Sequence, residues 1–493
     1  MINASGAQAL DHIVLVGSGL AAEMTACSLA AQLPPSIRLT VVPAAAGSDS
    51  DILYGTVTSP TAYAFNLEAG LAEPRLVLDS DCAFSWGTKY LKWTGGKRSW
   101  VQGFQLPLPV VDGVMFHHYL ALLGQERLDR YLLTAAAGEK GTFAHPPQDG
   151  GKDAQSPHGR AEYGYQMDPA SYADLFRAAS AGKDRLARLE SPMERVDAED
   201  GRIARLHLAD GGVVEGDLYL DCSGPDALLL SALGVATGSS REIVASLSRR
   251  AASKPGPPLR SVTPTAPGWT SVTPLRGADV LLSVSHPSAA DSAQQLEDAR
   301  TARAGIGRRD AAWSGNCIGI GHAAGVAEPL TPAPVMLLER DVRRLLSLLP
   351  VSPGMSVERR EYNRQYIDDF DHAALFTRAL FETDGLPDTS YWQEAKAQPL
   401  DERLERKIAL FADRGVFVGY DLEPFHEEDW MILHYGMGRA PRRYDVSADR
   451  ARRDRVQGFL DSLQRDVDRL AAAMPPHGPY MEKLGEYLKK NGY

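Results

Sequence analysis

The hydrophobic and polar pattern is clearest at the start of the chain. Residues 12–16 (HIVLV) form a short β-branched run that predicts a buried parallel strand. Gly17-Ser18-Gly19-Leu20-Ala21-Ala22 follows, and Glu23–Gln32 reads as a helix that ends at Pro34-Pro35. Residues 37–42 (IRLTVV) give a second strand, which completes a βαβ unit. Further on, Ile203, Leu206 and Leu208 alternate with polar residues up to Gly211-Gly212. Val213, Val214, Leu218 and Leu220 resume beyond it, so the segment predicts a hairpin feeding a strand. Cys317, Ile318 and Ile320 form another short strand, and Gly321–Gly325 is expected to open a helix. The last third is expected to be mostly helical. Val456, Phe459, Leu460, Leu463, Val467 and Leu470 share one helical face that ends at Met474-Pro475-Pro476. Residues 136–160 and the Pro-rich 252–268 are expected to be exposed connections.

The first turn carries chemistry. In GxGxxA, Gly17 permits a tight strand-to-helix turn and Gly19 lets backbone approach a pyrophosphate. Ala22 still allows close helix–strand packing, and the helix N-terminus presents free N–H groups to an anion. Between a strand and a helix, this pattern points to a dinucleotide fold. One element departs from it. The second strand should end in an acid for the adenosine ribose, and here Val41-Val42-Pro43 ends it. Asp49 and Asp51, in the following loop, are the possible substitutes.

Composition narrows the classes. The chain has 493 residues, 44% hydrophobic and 23% charged, with net charge −11. These values fit a globular protein and argue against nucleic acid or an anionic membrane as partner. The four cysteines, Cys27, Cys82, Cys222 and Cys317, are far apart, so neither a metal site nor a disulfide framework is expected. No apolar stretch approaches a membrane span. Met1–Asp11 lacks the pattern of a secretory leader, so the expected compartment is the cytoplasm.

Several collinear blocks together resemble the flavin-dependent tryptophan halogenases. They are the opening turn, Gly55–Pro60 (GTVTSP), Phe84–Trp93 (FSWGTKYLKW), Asp217–Gly224 (DLYLDCSG), Trp269–Leu275 (WTSVTPL) and Asn316–Leu330 (NCIGIGHAAGVAEPL). Tyr362-Asn363, Tyr391-Trp392, Phe425, Trp430, Gly436–Gly438 and Pro475-Pro476-His477 continue the series. The resemblance implies an α/β (α+β) chain with an FAD-binding Rossmann-like module over residues 1–350. Substrate-facing segments would be inserted at about 84–200 and 240–300, and helical residues 351–493 would complete the substrate module. It implies FAD, reduced by a separate reductase, near Gly17, Gly19, Leu20, Ala21, Ala22, Thr56, Gly321, Ala323, Ala324 and Gly325. In such enzymes a lysine and a glutamate hold the hypohalous acid beside one carbon of an aromatic ring, which is catalysis by positioning.

The reactive positions differ from that pattern while the scaffold glycines and prolines match it. Ser85 falls at the lysine and Thr331 at the glutamate. Lys89 shares a predicted strand face with Ser85 but is displaced by about 13 Å at ~3.3 Å per residue. The second tryptophan of the WxWxIP motif is Ser271, the glutamate of the GEATxP-like turn is Thr56, and Glu328 stays in the EPL block. Candidate site residues are thus Ser85, Thr331, Lys89 and His322, the last as a proton-transfer group near the isoalloxazine, with His117 and His118 as further histidines. The favoured expectation is an FAD-dependent oxidoreductase acting on a small or peptide-bound aromatic substrate by oxidation or hydroxylation. Two alternatives stay open. One is a degenerate homologue acting as a binding protein, as a homodimer or as partner of an active halogenase. The other is a halogenase with a relocated lysine.

Overall fold

In the computed structural model, residues 10–44, 48–96, 99–147, 156–289, 298–349 and 355–493 are described. The first strand spans His12–Gly17 and sits near the middle of a six-stranded sheet. Parallel neighbours Arg38–Val42 and Leu218–Cys222 flank it. Leu186–Arg188 lies beyond the former, and Cys317–Gly319 then Trp313–Ser314 lie beyond the latter. The apolar run is continuous because both faces are covered. Ile13 and Leu15 enter the main core, while Val14 and Val16 enter a second cluster with Ile203, Leu206 and Leu230. At about 1.5–3 kcal/mol per buried aliphatic side chain, this strand is a strong anchor for the module.

A second, eight-stranded sheet stands beside the first. Its order is Gly325–Val326, Arg300–Arg309, Thr237–Ala251, Ala278–Ser285, Gly268–Pro274, Arg260–Thr265, Gly87–Leu91 and Ser99–Gly103. Its pairings are antiparallel except between Arg260–Thr265 and Gly87–Leu91. Beyond it, Ala333–Ser347, Ser356–Phe381, Ser390–Ala397, Glu402–Arg414, Glu427–Gly436, Arg453–Ala473 and His477–Lys490 are helices. The expected α/β architecture with a helical C-terminal part is therefore what the chain adopts. The 453–473 helix buries Val456, Leu460 and Val467 of its stripe and half-buries Leu463 and Leu470, whereas Phe459 is exposed.

Several local expectations need correction. The helix after the first turn begins at Leu20, three residues earlier than read. The Pro-rich segment 252–268 contains a core strand: Leu259, Arg260 and Val262 are buried, and Pro264 pairs within the sheet beside Trp269. Segment 136–160 is likewise partly core, since Gly138 and Phe143 are buried and Gly138 packs tightly on Leu259. Small residues there serve close packing rather than exposure, and residues 148–155 lie outside the described ones. Finally, Gly321–Ala323 is a single 3₁₀ turn that returns to a strand at Gly325, and the helix waits until Ala333.

The block 84–93 is not one strand. Ala83–Ser85 pairs with Gly164–Gln166 in a two-stranded sheet, whereas Gly87–Leu91 belongs to the eight-stranded sheet. The chain switches sheets at Trp86. Gly87 has φ +138°, and a β-carbon there would strike the Gln102 carbonyl, so glycine makes the switch possible. Ser85 and Lys89 therefore do not share a strand face, and the 13 Å strand measure does not apply.

Among the described residues the four cysteines are buried and free, and no His/Cys/Asp/Glu group could hold a metal ion. No helix formed by those residues is long and apolar enough to cross a membrane.

Candidate active site

Four of the motif blocks, through Gly55, Tyr90, Trp269 and Tyr391, reach the segment Glu328–Leu330. Gly55 packs against Pro329, where a β-carbon would come within 3.2 Å of the proline Cβ. Tyr90, from the 84–93 block, donates its hydroxyl to the Leu330 carbonyl at 3.3 Å. Arg260 donates to the Pro329 carbonyl at 3.0 Å and also to the Leu330 carbonyl. Thr56 and Thr273 share a hydroxyl–hydroxyl hydrogen bond of 2.6 Å, which joins the GTVTSP turn to the WTSVTPL strand.

Glu328 is the hub. Its Oε1 accepts from Trp269 Nε1 at 2.7 Å and from the Tyr391 hydroxyl, and its Oε2 pairs with Arg241. The guanidinium of Arg241 lies 4.9 Å from the Tyr391 ring centre. All these groups are buried or nearly so, so the carboxylate ties three motif blocks together as a structural centre.

Arg260 is the site residue that the sequence does not announce. It is fully buried, it donates to backbone carbonyls, and its Nε has no partner among the described residues. Burial pulls its pKa down to about 10, against a partly offsetting contribution from Tyr90. A single arginine in a Pro-rich stretch carries no motif signal, and its role becomes visible only when the strand is placed.

The expected reactive residues are scattered among these contacts. Ser85 is fully buried, and its Oγ is bonded locally, donating to the Gly87 carbonyl at 3.3 Å and accepting from the Gly87 N–H at 3.2 Å. Thr331 is buried at the start of the 333–347 helix, where its Oγ accepts from the Ala333 N–H at 3.3 Å. The ammonium of Lys89 points to a partly exposed pair with Glu139 at 2.6 Å. Ser271 is buried and its hydroxyl has no partner among the described residues.

The two small-residue turns lie together. Gly17 passes the Cys222 carbonyl so closely that a β-carbon would collide with it. Ala21 and Ala22 are buried in the helix that follows. At the second turn, the carbonyls of Ala323 and Ala324 accept from Arg309, and Gly325 pairs across to Arg308. Gly321 donates its N–H to Asp341 at 2.9 Å, and burial raises that carboxyl to about 6.

His322 stacks on Tyr54 with ring centres 3.8 Å apart, and burial pushes its pKa down to about 3. It is therefore neutral at neutral pH. His117 is pushed down to about 4 by burial and bonds the Gly415 carbonyl at 2.6 Å. Its ring lies 4.2 Å from that of His118, an arrangement that suits packing between helices.

The end of the second strand, where an acid is expected, is placed as well. The chain leaves the second strand at Pro43, whose carbonyl accepts from Met193. Asp51 is not at the strand end. It lies on the N-terminus of the first helix, where its carboxylate accepts the Leu20 N–H at 2.8 Å. The side chain of Asp49 lies outside the described residues.

Comparison with known proteins agrees with this arrangement. The sequence profile of the family described as tryptophan halogenase matches residues 12–453. Tryptophan 6-halogenase SttH of Streptomyces toxytricini is 24% identical, over 94% of this chain and 98% of its own length. BrvH, a flavin-dependent halogenase from Brevundimonas sp. BAL3, superposes with a TM-score of 0.87 at 27% identity, covering 96% of this chain and 99% of BrvH. Xcc4156, a flavin-dependent halogenase from Xanthomonas campestris, gives a TM-score of 0.87 at 26% identity, with 97% and 99% coverage. With the family profile spanning nearly the whole chain, this chain belongs to the tryptophan halogenase family.

Proposed function

We propose that this chain is an FAD-dependent oxidoreductase of the halogenase family that oxidises or hydroxylates an aromatic substrate rather than halogenating it through a lysine. The observation that carries this reading is the state of the two reactive positions. Ser85 and Thr331, which the resemblance sets at the positions of an amine and a carboxylate, are both buried and both bonded to adjacent backbone. The nearby Lys89 is engaged at the surface with Glu139. A hydroxyl can orient a polar group but cannot hold hypohalous acid as an ammonium does, so the positioning element of halogenation is missing.

FAD is the cofactor that family membership implies, with a separate reductase to reduce it. In the conformation described here its cradle does not fit it. The Leu20 N–H that would meet a pyrophosphate is taken by Asp51, and the His322 N–H donates to the Tyr54 hydroxyl at 3.2 Å. A β-carbon on Gly321 would collide with that same hydroxyl. Cofactor binding therefore requires local rearrangement.

The filled cradle specifically favours a second reading, a degenerate homologue that serves as binding protein or partner subunit. Titration of the purified chain with FAD, oxidised and then reduced under anaerobic conditions, separates the two. Saturable binding in either redox state supports the oxidoreductase. Absence of binding in both states overturns it and leaves the second reading.

A further inference from the structure

The three glycine turns nearest the family's cofactor position are each met by one short segment, Ser50–Tyr54. At the first turn, Gly19 has φ +91°, and a β-carbon there would collide with the Asp51 carboxylate. Asp51 is 4% exposed and accepts the Leu20 N–H, a donor that a dinucleotide fold directs at pyrophosphate. At the Asp221–Gly224 turn, a β-carbon on Gly224 would lie 2.8 Å from Ser50 Oγ. At the third turn, the Tyr54 hydroxyl fills the space beside Gly321, accepts the His322 N–H and places its ring on the His322 ring.

We propose that Ser50–Tyr54 is a built-in competitor for the dinucleotide, with the Asp51 carboxylate standing in for a phosphate and Tyr54 closing the second flavin-facing turn. This rests on the FAD reading above and adds a control to it. An anion already sits in a site made for an anion, and a second negative group cannot share one helix N-terminus at close range without repulsion. FAD must therefore displace the segment, and its affinity is lowered by the stability of the closed arrangement. The two side chains separate by ligand. Asp51 opposes any pyrophosphate, whereas Tyr54 opposes only a ligand that carries the flavin ring.

The test compares wild type, Asp51→Asn, Asp51→Ala and Tyr54→Val by calorimetric titration with ADP and with FAD. Circular dichroism checks that each variant is folded. Asp51→Asn keeps the shape and removes the charge, so it remains informative if the alanine variant folds poorly. The expected result is that Asp51→Ala binds both ADP and FAD at least tenfold more tightly than wild type. Asp51→Asn should fall between, and Tyr54→Val should tighten FAD with little effect on ADP. ADP binding seen only in the Asp51 variants also supports the proposal. Equal FAD affinity in wild type and both Asp51 variants overturns the competitor and leaves the FAD reading intact. No FAD binding in any protein overturns both.

Discussion

Replacing Glu328 by glutamine removes one charge and almost no volume, so it isolates the electrostatics of the site's hub. In the native arrangement the carboxylate is 2% exposed at the side chain and its partner Arg241 is 7% exposed. Removing one member of a buried ion pair typically costs about 3–5 kcal/mol, because the remaining charge is stranded away from water. The glutamine carbonyl can still accept from Trp269 Nε1 or the Tyr391 hydroxyl. Its amide must then face another donor, so part of the hydrogen bonding is lost as well. We expect Glu328→Gln to lower unfolding stability by about 4 kcal/mol. Adding Arg241→Met removes the stranded cation, and the double variant should recover about 2 kcal/mol relative to Glu328→Gln. Urea denaturation followed by tryptophan fluorescence reads Glu328→Gln, Arg241→Met and the double variant, with the slope of the transition checked for constancy. A loss under about 1 kcal/mol for Glu328→Gln, or simple additivity in the double variant, would refute the hub argument.

Other consequences are as direct. Glu339 is buried with its carboxyl raised to about 7 from 4.5, chiefly by desolvation, while Thr61 donates to it at 2.6 Å. The folded state holds that proton more tightly, so this contribution to stability is complete below pH 4.5 and is lost as pH rises through 7. Glu339→Gln should therefore gain about 3 kcal/mol on wild type between pH 4.5 and 8, and a pH-independent difference in urea midpoints would contradict this. Lys89→Met removes only a partly exposed pair and should change stability by less than about 1 kcal/mol. It should leave substrate oxidation unchanged, and loss of turnover would point to a relocated lysine. Ser85→Lys forces an ammonium into a fully buried position and should destabilise by several kcal/mol, read as a lower urea midpoint.

The sequence made the first βαβ unit legible because its signals agree. A continuous apolar run, two glycines in a fixed turn and a helix ended by Pro34-Pro35 all point to the same element. The C-terminal helices were legible through the 3.6-residue stripe at 456–470. The break at Trp86 was not, because the resemblance makes Phe84–Trp93 read as one strand and only the positive φ of Gly87 shows where it changes sheets. The strand at 260–265 was hidden by prolines. Pro264 lies within the pairing to Gly268–Pro274, and Arg260 turns its charge inward to backbone carbonyls. Within the site, Ser85 and Thr331 were found through the resemblance. Asp51 was found as a ribose substitute and proves to cap a helix instead. Nothing in the sequence marked Tyr54, since its role arises from the approach of a glycine 267 positions away in the chain.

The central claim is tested most directly by the product. The purified chain would be supplied with reduced FAD by a reductase, in air, with bromide and a set of indoles and tryptophan-containing peptides. Mass spectrometry then reads the outcome. The account predicts substrate that has gained oxygen or lost hydrogen, with no brominated product. A product in which bromine replaces a ring hydrogen, formed only when the chain is present, would contradict it.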